Sequence, residues 1–277
     1  MASASLLFAE TDADYSAELL THAEDLFNFA DQYRGVYSNS ISDASKFYNS
    51  WSGYNDELVW GAIWLYKATG NQEYLDKAIN YYDQFGFSGQ TDFFSWDNKL
   101  PGAQILLAQL SGQQRFIDDA LKVCNYYVNY QRSPQGRTHY LQWGSLRYAA
   151  NAALICLQAS DLENGNEEMR NYALGQLEYM LGSTGRSFVV GFGTNPPTQP
   201  HHAAASCPLA PENCDWSNFY LDQPNPNILY GALVGGPSGL HDDTLNDKRN
   251  DYIENEVTLD YNSGFQSALA GLLQKAC

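Results

Sequence analysis

The pentapeptide YLDKA at residues 74–78 returns as FIDDA at 116–120 and, more faintly, as MRNYA at 169–173. Each copy follows a turn that contains a glycine, and each turn follows a more apolar segment with helical spacing. A buried helix followed by an amphipathic one, repeated at such intervals, is typical of stacked helical hairpins with an inner and an outer layer. The sequence therefore predicts an all-α fold, either a toroid of helical hairpins or a solenoid.

Apolar residues at helical spacing also locate the individual helices. Predicted helices cover residues 15–33, 55–69, 72–85, 101–111, 141–160 and 260–275. The segment SFVVGF at 187–192 is predicted to be a short strand, and residues 193–227, with seven prolines, are predicted to be a loop. A loop of this length inside a compact helical domain is usually functional.

Composition restricts the partners of the chain. Its 277 residues carry 15 basic and 32 acidic side chains, which gives a formal net charge of −17. This charge would repel nucleic acid and anionic membranes, so a neutral partner fits better. The 20 Tyr and 6 Trp exceed what a core needs, and their amphipathic rings stack well on sugars and other flat ligands. There is no apolar run long enough to predict a membrane span, and MASASLLFAE lacks the features of a signal peptide.

The five cysteines cannot all pair within one chain. Cys207 and Cys214 lie in a proline-rich loop, where they either form a disulfide, which would suggest secretion, or remain thiols. Cys124 and Cys156 lie in apolar helical patterns and are predicted to be buried thiols.

Carboxylates and aromatic rings are concentrated in LNDKRNDYIENEVTLDYNSGF, residues 245–265. A carboxyl group packed among rings loses hydration, which favours its protonated form, the form that a general acid needs. On residue types alone, the alternative is an acidic capping loop before the closing helix. The spacing is more specific than the composition, because it resembles the C-terminal signature of glycoside hydrolase family 9, the inverting cellulases. The matching positions are Asp247, Tyr252, Glu256, Thr258, Asn262 and Ser263.

This resemblance implies an (α/α)6 barrel and an endo-acting β-1,4-glucanase that inverts the configuration of the cleaved bond. It makes Glu256 the general acid and includes Asp247 in the same signature. A second family signature resembles residues 187–208 and gives His201 a place in the active site. In this chain Ala203 replaces the arginine of that signature, which should weaken the positioning of the sugar.

The segment QWGSLRYAAN at 142–151 is predicted to set a flat ring beside a guanidinium on one helix face, a pair that binds sugars by stacking and hydrogen bonding. From the residues alone, a core Trp and a surface Arg are the alternative. The family resemblance implies that aromatic and basic side chains line a cleft for β-1,4-glucan or cello-oligosaccharide. The residues assigned to this cleft are Tyr48, Trp51, Trp143, Arg147, Tyr148 and Tyr261.

The segment FYNSWSGYNDE at 47–57 offers oxygen ligands at the junction of a loop and a helix, a pattern that suits calcium. The alternative from the residues alone is a capped helix whose acids complement its dipole. The resemblance to animal and related bacterial members of the family implies a structural calcium site. Its ligands would be Ser52, Gly53, Asp56, Glu57 and Asp97.

Inverting hydrolysis needs a second carboxylate as a base. The family supplies it from a DAGD motif in the first helices, and that motif is absent from this sequence. The shortened copy DADY at 12–15 aligns better with the start of an ordinary helix. We therefore expect residues 1–277 to be a single family 9 catalytic domain without its first helices, an incomplete barrel of weak or no activity.

The resemblance also implies secretion, although this chain shows no signal peptide. Two other functions remain open. The chain could be a non-catalytic carbohydrate-binding remnant of a cellulase, which would bind glucan without turnover. It could also be a scaffold of helical hairpins that binds proteins, which would leave both signatures unexplained.

Overall fold

The computed structural model describes residues 1–162, 166–242 and 245–276. Across these residues the chain is helical, and its β-structure is limited to isolated bridges. The chain forms two compact units, Met1–Val123 and Cys124–Cys277, which we call unit 1 and unit 2. Within the described ranges, none of the helices combines the length and the apolarity needed to cross a bilayer.

Unit 1 is built from helices whose ends follow from local sequence signals. Asp12 caps the second helix by accepting a hydrogen bond from the amide of Tyr15 at 3.1 Å, and Gly70 ends the fourth in the left-handed conformation. These helices are α1 (Ala2–Phe8), α2 (Ala13–Gln32), α3 (Tyr37–Ser40), α4 (Asn55–Thr69), α5 (Gln72–Gln84) and α6 (Leu100–Ser111), with a 3-10 turn at Ala44–Lys46. Helix α7 (Gln114–Val128) begins in unit 1 and ends in unit 2.

Unit 2 contains α8 (Ser145–Leu162), α9 (Glu167–Leu181), α10 (Trp216–Phe219), α11 (Tyr252–Asn255) and α12 (Leu259–Ala276), with a 3-10 turn at Ala204–Ser206. Helix α8 is the buried element, and it packs against both α9 and α12. The small side chains of the alanines at 149, 150 and 153 let neighbouring elements approach α8 closely. Gly264 of α12 lies against Asn151, where a Cβ would clash. The close approach of these two helices places the start of α12 beside the start of α8.

The predicted alternation of buried and amphipathic helices is confirmed in α4–α5 and in α8–α9, which pack as hairpins. The predicted strand at 187–192 is wrong, because only Val189 forms a bridge, to Leu233. Gly191 has a positive φ of 71°, which turns the backbone away after that single bridge. The predicted loop at 193–227 is irregular apart from the 3-10 turn and α10.

Two disulfides lie in unit 2. Cys207 and Cys214 are bridged, with Cα atoms 5.1 Å apart, so the first of the two alternatives for this pair holds. The prediction of buried thiols at Cys124 and Cys156 is wrong, because these residues also form a disulfide, with Cα atoms 5.0 Å apart. Both cysteines are completely buried, as predicted. The apolar pattern around each of them did not indicate that α7 and α8 bring the two sulfur atoms together. Cys277 lies outside the described residues.

Asp31 of unit 1 should make stability depend on acid pH. Burial alone would raise its pKa, but hydrogen bonds from Lys77, Tyr81 and Arg34 outweigh burial and lower the pKa to about 2. Since the folded-state pKa lies below the ordinary 3.8, the stabilisation is complete above that value and is lost as pH falls through about 2.

We expect Asp31→Asn to lower the free energy of unfolding at pH 6 by about 1 kcal/mol, allowing for solvent screening of the partners. The difference from wild type should vanish towards pH 2. Urea unfolding across this pH range measures it, with Asp25→Asn as the control because Asp25 is an exposed carboxylate on the same helix. A difference that stays constant with pH would contradict the ion-pair explanation.

Candidate active site

Glu256 immediately follows the single-turn helix α11 and is held by donors from two other segments. Its Oε2 atom accepts hydrogen bonds from Nε1 of Trp143 at 2.8 Å and from the hydroxyl of Tyr261 at 2.9 Å. Burial, reinforced by the charge of Glu256, raises the pKa of Tyr261, so its hydroxyl remains a donor. The loop before α8 and the start of α12 thus fix one oxygen of this carboxyl group.

His201 lies beside Glu256 because the two residues form a parallel β-bridge. The amide of His201 donates to the carbonyl of Asn255 at 2.8 Å, and its Nδ1 is 2.7 Å from the carbonyl oxygen of Arg249. Since a carbonyl only accepts, Nδ1 carries the hydrogen and Nε2 is left as the acceptor of the ring. The sequence-predicted pair of His201 and Glu256 is therefore adjacent in the fold.

Asp247 is bound to the loop that leads into His201. Its Oδ2 accepts from the amide and the hydroxyl of Thr198, both at 2.8 Å, and its Oδ1 accepts from the amide of Gln199 at 3.0 Å. The side-chain Nδ2 of Asn255 donates a longer hydrogen bond to Oδ1 at 3.4 Å. The carboxylate of Asp247 therefore holds the backbone just before His201. In this position Asp247 can influence the site by fixing the residues next to His201.

Arg147, Tyr148 and Tyr261 form a buried layer next to Glu256. They are 7%, 6% and 1% exposed, and the guanidinium lies 4.6 Å and 4.9 Å from the two ring centroids. Burial would lower the pKa of Arg147, but the two tyrosines and Asp260, 2.9 Å away, raise it. Little of the three side chains is exposed, and Tyr261 links them to Glu256 through its hydroxyl.

Two exposed rings of unit 2, those of Trp143 and Tyr252, lie next to each other. They are 43% and 47% exposed, and their ring centroids lie 5.0 Å apart. Because Trp143 also binds Glu256, the two rings form a platform beside the carboxyl group. Tyr252 was missed as a contact residue, although its position four residues before Glu256, on the turn of α11, was a usable signal.

The predicted calcium ligands come together in unit 1 at the start of α4. Oγ of Ser52 is 2.8 Å from the main-chain oxygen of Asp97 and 3.3 Å from Oδ1 of Asp56. The carboxylate of Asp97 is engaged by the amides of Trp51 and Ser52, each at 3.0 Å. Asp97 can therefore offer its main-chain oxygen to a cation more readily than its carboxylate.

Glu57 supplies the test of whether a cation fits there. Burial, together with a hydrogen bond and the charge of Asp56, raises the pKa of Glu57 to about 9. Its Oε2 is buried and has no hydrogen-bond partner. An orphaned carboxylate oxygen beside a second carboxylate and a hydroxyl is a donor set that suits calcium. No cluster of three or more His, Cys, Asp or Glu suited to a metal occurs within the described ranges, so this site would depend on Ser52 and main-chain oxygen as well.

Tyr48 and Trp51, the remaining predicted sugar contacts, belong to unit 1. Trp51 is 79% exposed, and Tyr48 is 49% exposed and meets Trp96 edge-on with ring centroids 5.1 Å apart. Because Trp51 donates its amide to Asp97, its ring is presented by the same loop as the candidate calcium ligands.

The helical hairpins, with a carboxyl group beside exposed rings, agree with the class of helical glycoside hydrolases that the sequence predicted. The chain belongs to glycosyl hydrolase family 9, whose model matches residues 1–269. The family predicted from the C-terminal signature is thereby confirmed.

Individual relatives agree with this assignment. Endoglucanase B of Cellulomonas fimi is 44% identical over 293 residues, which cover 99% of this chain and 27% of that protein. The structure of the endoglucanase of the termite Nasutitermes takasagoensis is similar with a TM-score of 0.95 and 49% identity, covering 100% of this chain and 63% of that one. The cellulase Cel9M of C. cellulolyticum in complex with cellobiose gives a TM-score of 0.85 at 29% identity, covering 99% and 62%.

The chain thus spans between about a quarter and two thirds of the length of these relatives. The similarity to the termite and bacterial structures confirms the predicted fold class, the all-α (α/α)6 barrel class.

Proposed function

We propose that this chain belongs to an endo-β-1,4-glucanase and carries its general acid and part of its glucan-binding surface. The observation that carries the proposal is Glu256, whose Oε2 is held by Trp143 and Tyr261 while Trp143 and Tyr252 expose their rings beside it. The names of the relatives, endoglucanases and cellulases, support the reaction. The Cel9M complex with cellobiose supports a β-1,4-linked glucan as the substrate.

In this mechanism a glucosyl unit stacks on the platform of Trp143 and Tyr252. Glu256 donates its proton to the glycosidic oxygen as the bond from that oxygen to the anomeric carbon breaks. Water attacks the opposite face of the sugar, assisted by a second carboxylate that takes its proton, and the product has the inverted configuration. His201, fixed by Arg249 and Asn255, offers Nε2 to a sugar hydroxyl.

We further propose that residues 1–277 by themselves supply the acid without an efficient base. The sequence contains no DAGD motif, and the aspartate of its nearest copy, Asp12, is engaged as the cap of α2. Hydrolysis by this chain should accordingly be slow.

Release of reducing ends from carboxymethyl-cellulose, combined with NMR detection of the first-formed anomer from cellotetraose, tests the proposal. We expect slow release and an initial α-anomer. A β-anomer as first product would exclude inversion, and a chain that neither binds nor cleaves cello-oligosaccharides would overturn the proposal. Binding without any turnover would instead support the non-catalytic carbohydrate-binding remnant.

We propose that the loop and helix around Ser52 hold a structural calcium ion, with Gly53, Asp56, Glu57 and Asp97 as the other ligand residues. The converging oxygens and the orphaned Oε2 of Glu57 support this, as does the family resemblance. When bound, calcium would supply positive charge between two crowded carboxylates at the start of α4.

Saturating calcium should raise the unfolding temperature by about 5 °C over a chelated sample, since a ligand that binds only the folded state stabilises it by mass action. Differential scanning calorimetry measures the shift, with magnesium as the control because it tolerates such flexible oxygen sites poorly. Asp56→Asn should remove most of the calcium-dependent shift. Equal unfolding temperatures with calcium and with chelator would rule out the site.

We also propose that the protein works outside the cell, because its two disulfides are typical of oxidising compartments. Alkylation of the protein isolated from its natural source, followed by peptide mass analysis, checks this. Free thiols at Cys124, Cys156, Cys207 and Cys214 would contradict it.

A further inference from the structure

A polar pocket of about 400 Å³ opens in unit 2 next to the loop that carries His201. Two segments, residues 219–222 and 246–250, form its walls together with Gln199. Its volume lies in the range of small-molecule sites, about 300 to 1,000 Å³. Glu256 is not among the residues that line it, so the pocket is separate from the carboxyl group that cleaves the bond.

The walls of the pocket are held in place by a buried arginine. Arg249 is 3% exposed, and its guanidinium donates to Oδ1 of Asn225 at 2.5 Å and to the carbonyls of Phe219, Leu221 and Gln223 at 2.7, 3.0 and 2.8 Å. These bonds fix the segment that forms one wall. A pocket that is already formed loses little conformational freedom when it binds a ligand.

The side chains around the pocket suit a neutral, hydroxyl-rich ligand. Tyr220 exposes 73% of its surface, and Asp222 and Lys248 face each other at 2.6 Å. Nε2 of Gln199 donates to Asp222 at 3.0 Å. Because the charges of Asp222 and Lys248 compensate each other, an ionic ligand would gain little binding energy here. Carboxylate, ammonium and amide groups can all form hydrogen bonds with sugar hydroxyls, and an exposed ring can stack on the face of the sugar.

A row of rings connects the pocket to the platform beside Glu256. The ring of Phe219 lies 5.6 Å from that of His201, which lies 6.0 Å from Tyr252, and Tyr252 lies 5.0 Å from Trp143. Tyr220 follows Phe219, with ring centroids 5.3 Å apart. A glucan chain on the platform can therefore extend past His201 towards the pocket.

We propose that this pocket is an additional glucosyl-binding site, in which Tyr220 stacks on one glucosyl unit and Asp222 and Lys248 bind its hydroxyls. The inference rests on the proposed function, since it assumes that a β-1,4-glucan occupies the platform. Its consequence is a dependence of affinity on chain length, because only longer oligosaccharides reach both the platform and the pocket.

Isothermal titration calorimetry with cellotriose and cellohexaose tests this. We expect Tyr220→Ala to weaken cellohexaose binding by about three- to tenfold, the loss of one stacked ring, and to change cellotriose binding less than about twofold. Tyr220→Trp should retain wild-type affinity for both. Tyr230→Ala is the matched control, because Tyr230 is 75% exposed in the same unit and does not line the pocket.

Unchanged cellohexaose affinity in Tyr220→Ala would overturn the inference, and so would equal losses for both oligosaccharides. Neither result affects the proposed function, since cellotriose would still bind the platform. A wild-type chain that binds neither oligosaccharide would overturn the proposed function, and the inference would fall with it.

Discussion

Azide should accelerate the cleavage of cellotetraose by this chain about tenfold or more, with a glycosyl azide of inverted configuration as the new product. The azide anion attacks the anomeric carbon without needing a base, so it bypasses the proton transfer for which we propose that the chain lacks an efficient base. Departure of the leaving sugar still requires the proton of Glu256. Glu256→Gln should therefore reduce the azide-assisted rate by about 10²- to 10⁴-fold while leaving cellotriose affinity nearly unchanged.

High-performance chromatography of the products, with and without azide, measures both effects. Glu212→Gln is the matched control, because Glu212 is an exposed glutamate of the same unit and should keep the wild-type rate. If azide accelerates Glu256→Gln as strongly as the wild type, Glu256 is not the acid. If azide has no effect on a wild-type chain that hydrolyses quickly, the chain contains its own base, and Asp12 or Asp14 becomes the next residue to replace.

The second large effect on the rate should come from replacing Asp247, because this residue can affect the reaction without contacting the sugar. Asp247→Asn replaces one acceptor oxygen by an amide nitrogen, which faces the main-chain donor of either Thr198 or Gln199, depending on which oxygen it replaces. Two donors cannot bond each other, so the loop must shift, and His201 shifts with it. We expect kcat in the azide-assisted assay to fall about 100-fold, the usual cost of misplacing an active-site group by about 1 Å.

Thr198→Val provides the comparison, because it removes one hydroxyl contact and leaves Asp247 with both main-chain donors. Its kcat should fall less than about fivefold. Both variants must unfold within a few degrees of the wild-type temperature, so that a lower kcat cannot be attributed to unfolding. A wild-type kcat in Asp247→Asn would show that the position of His201 does not depend on this carboxylate.

The sequence predicted the helices well because their signals are local. Repeated pentapeptides, glycines after apolar segments and helical spacing located α4, α5, α6 and α8 to within a few residues. The strand at 187–192 failed for the opposite reason, since a strand needs a partner over several residues and Gly191 allows only one bridge. The disulfide between Cys124 and Cys156 depends on how two helices face each other, which their periodicities do not specify.

For the site, two separate signatures assigned Glu256 and His201 to the same active site, and the two residues are adjacent in the fold, but the signatures carried no information on exposure. Tyr261 was assigned to the cleft by the family resemblance and Tyr252 was not, yet Tyr261 is buried against Arg147 and Tyr252 is exposed beside Trp143. Which side of a ring faces solvent is decided by helices distant in the chain. The pocket at Tyr220 escaped prediction for the same reason, because residues 219–222 and 246–250 are brought together by tertiary contacts of Arg249 and Lys248.

The two oxygens of Glu256 have different hydrogen-bond partners, so the proposed acid can donate its proton from only one of them. Oε2 already accepts from Trp143 and Tyr261, so a hydrogen placed on it would point at two donors. In the proposed mechanism the acidic hydrogen of Glu256 is therefore carried by Oε1, and moving it to Oε2 would sacrifice hydrogen bonds worth about 1 kcal/mol each. The proton consequently leaves in a single direction in the plane of the carboxyl group, and the glycosidic oxygen must present its lone pair to that side. A glucan bound with its chain direction reversed would present the wrong lone pair and would remain uncut.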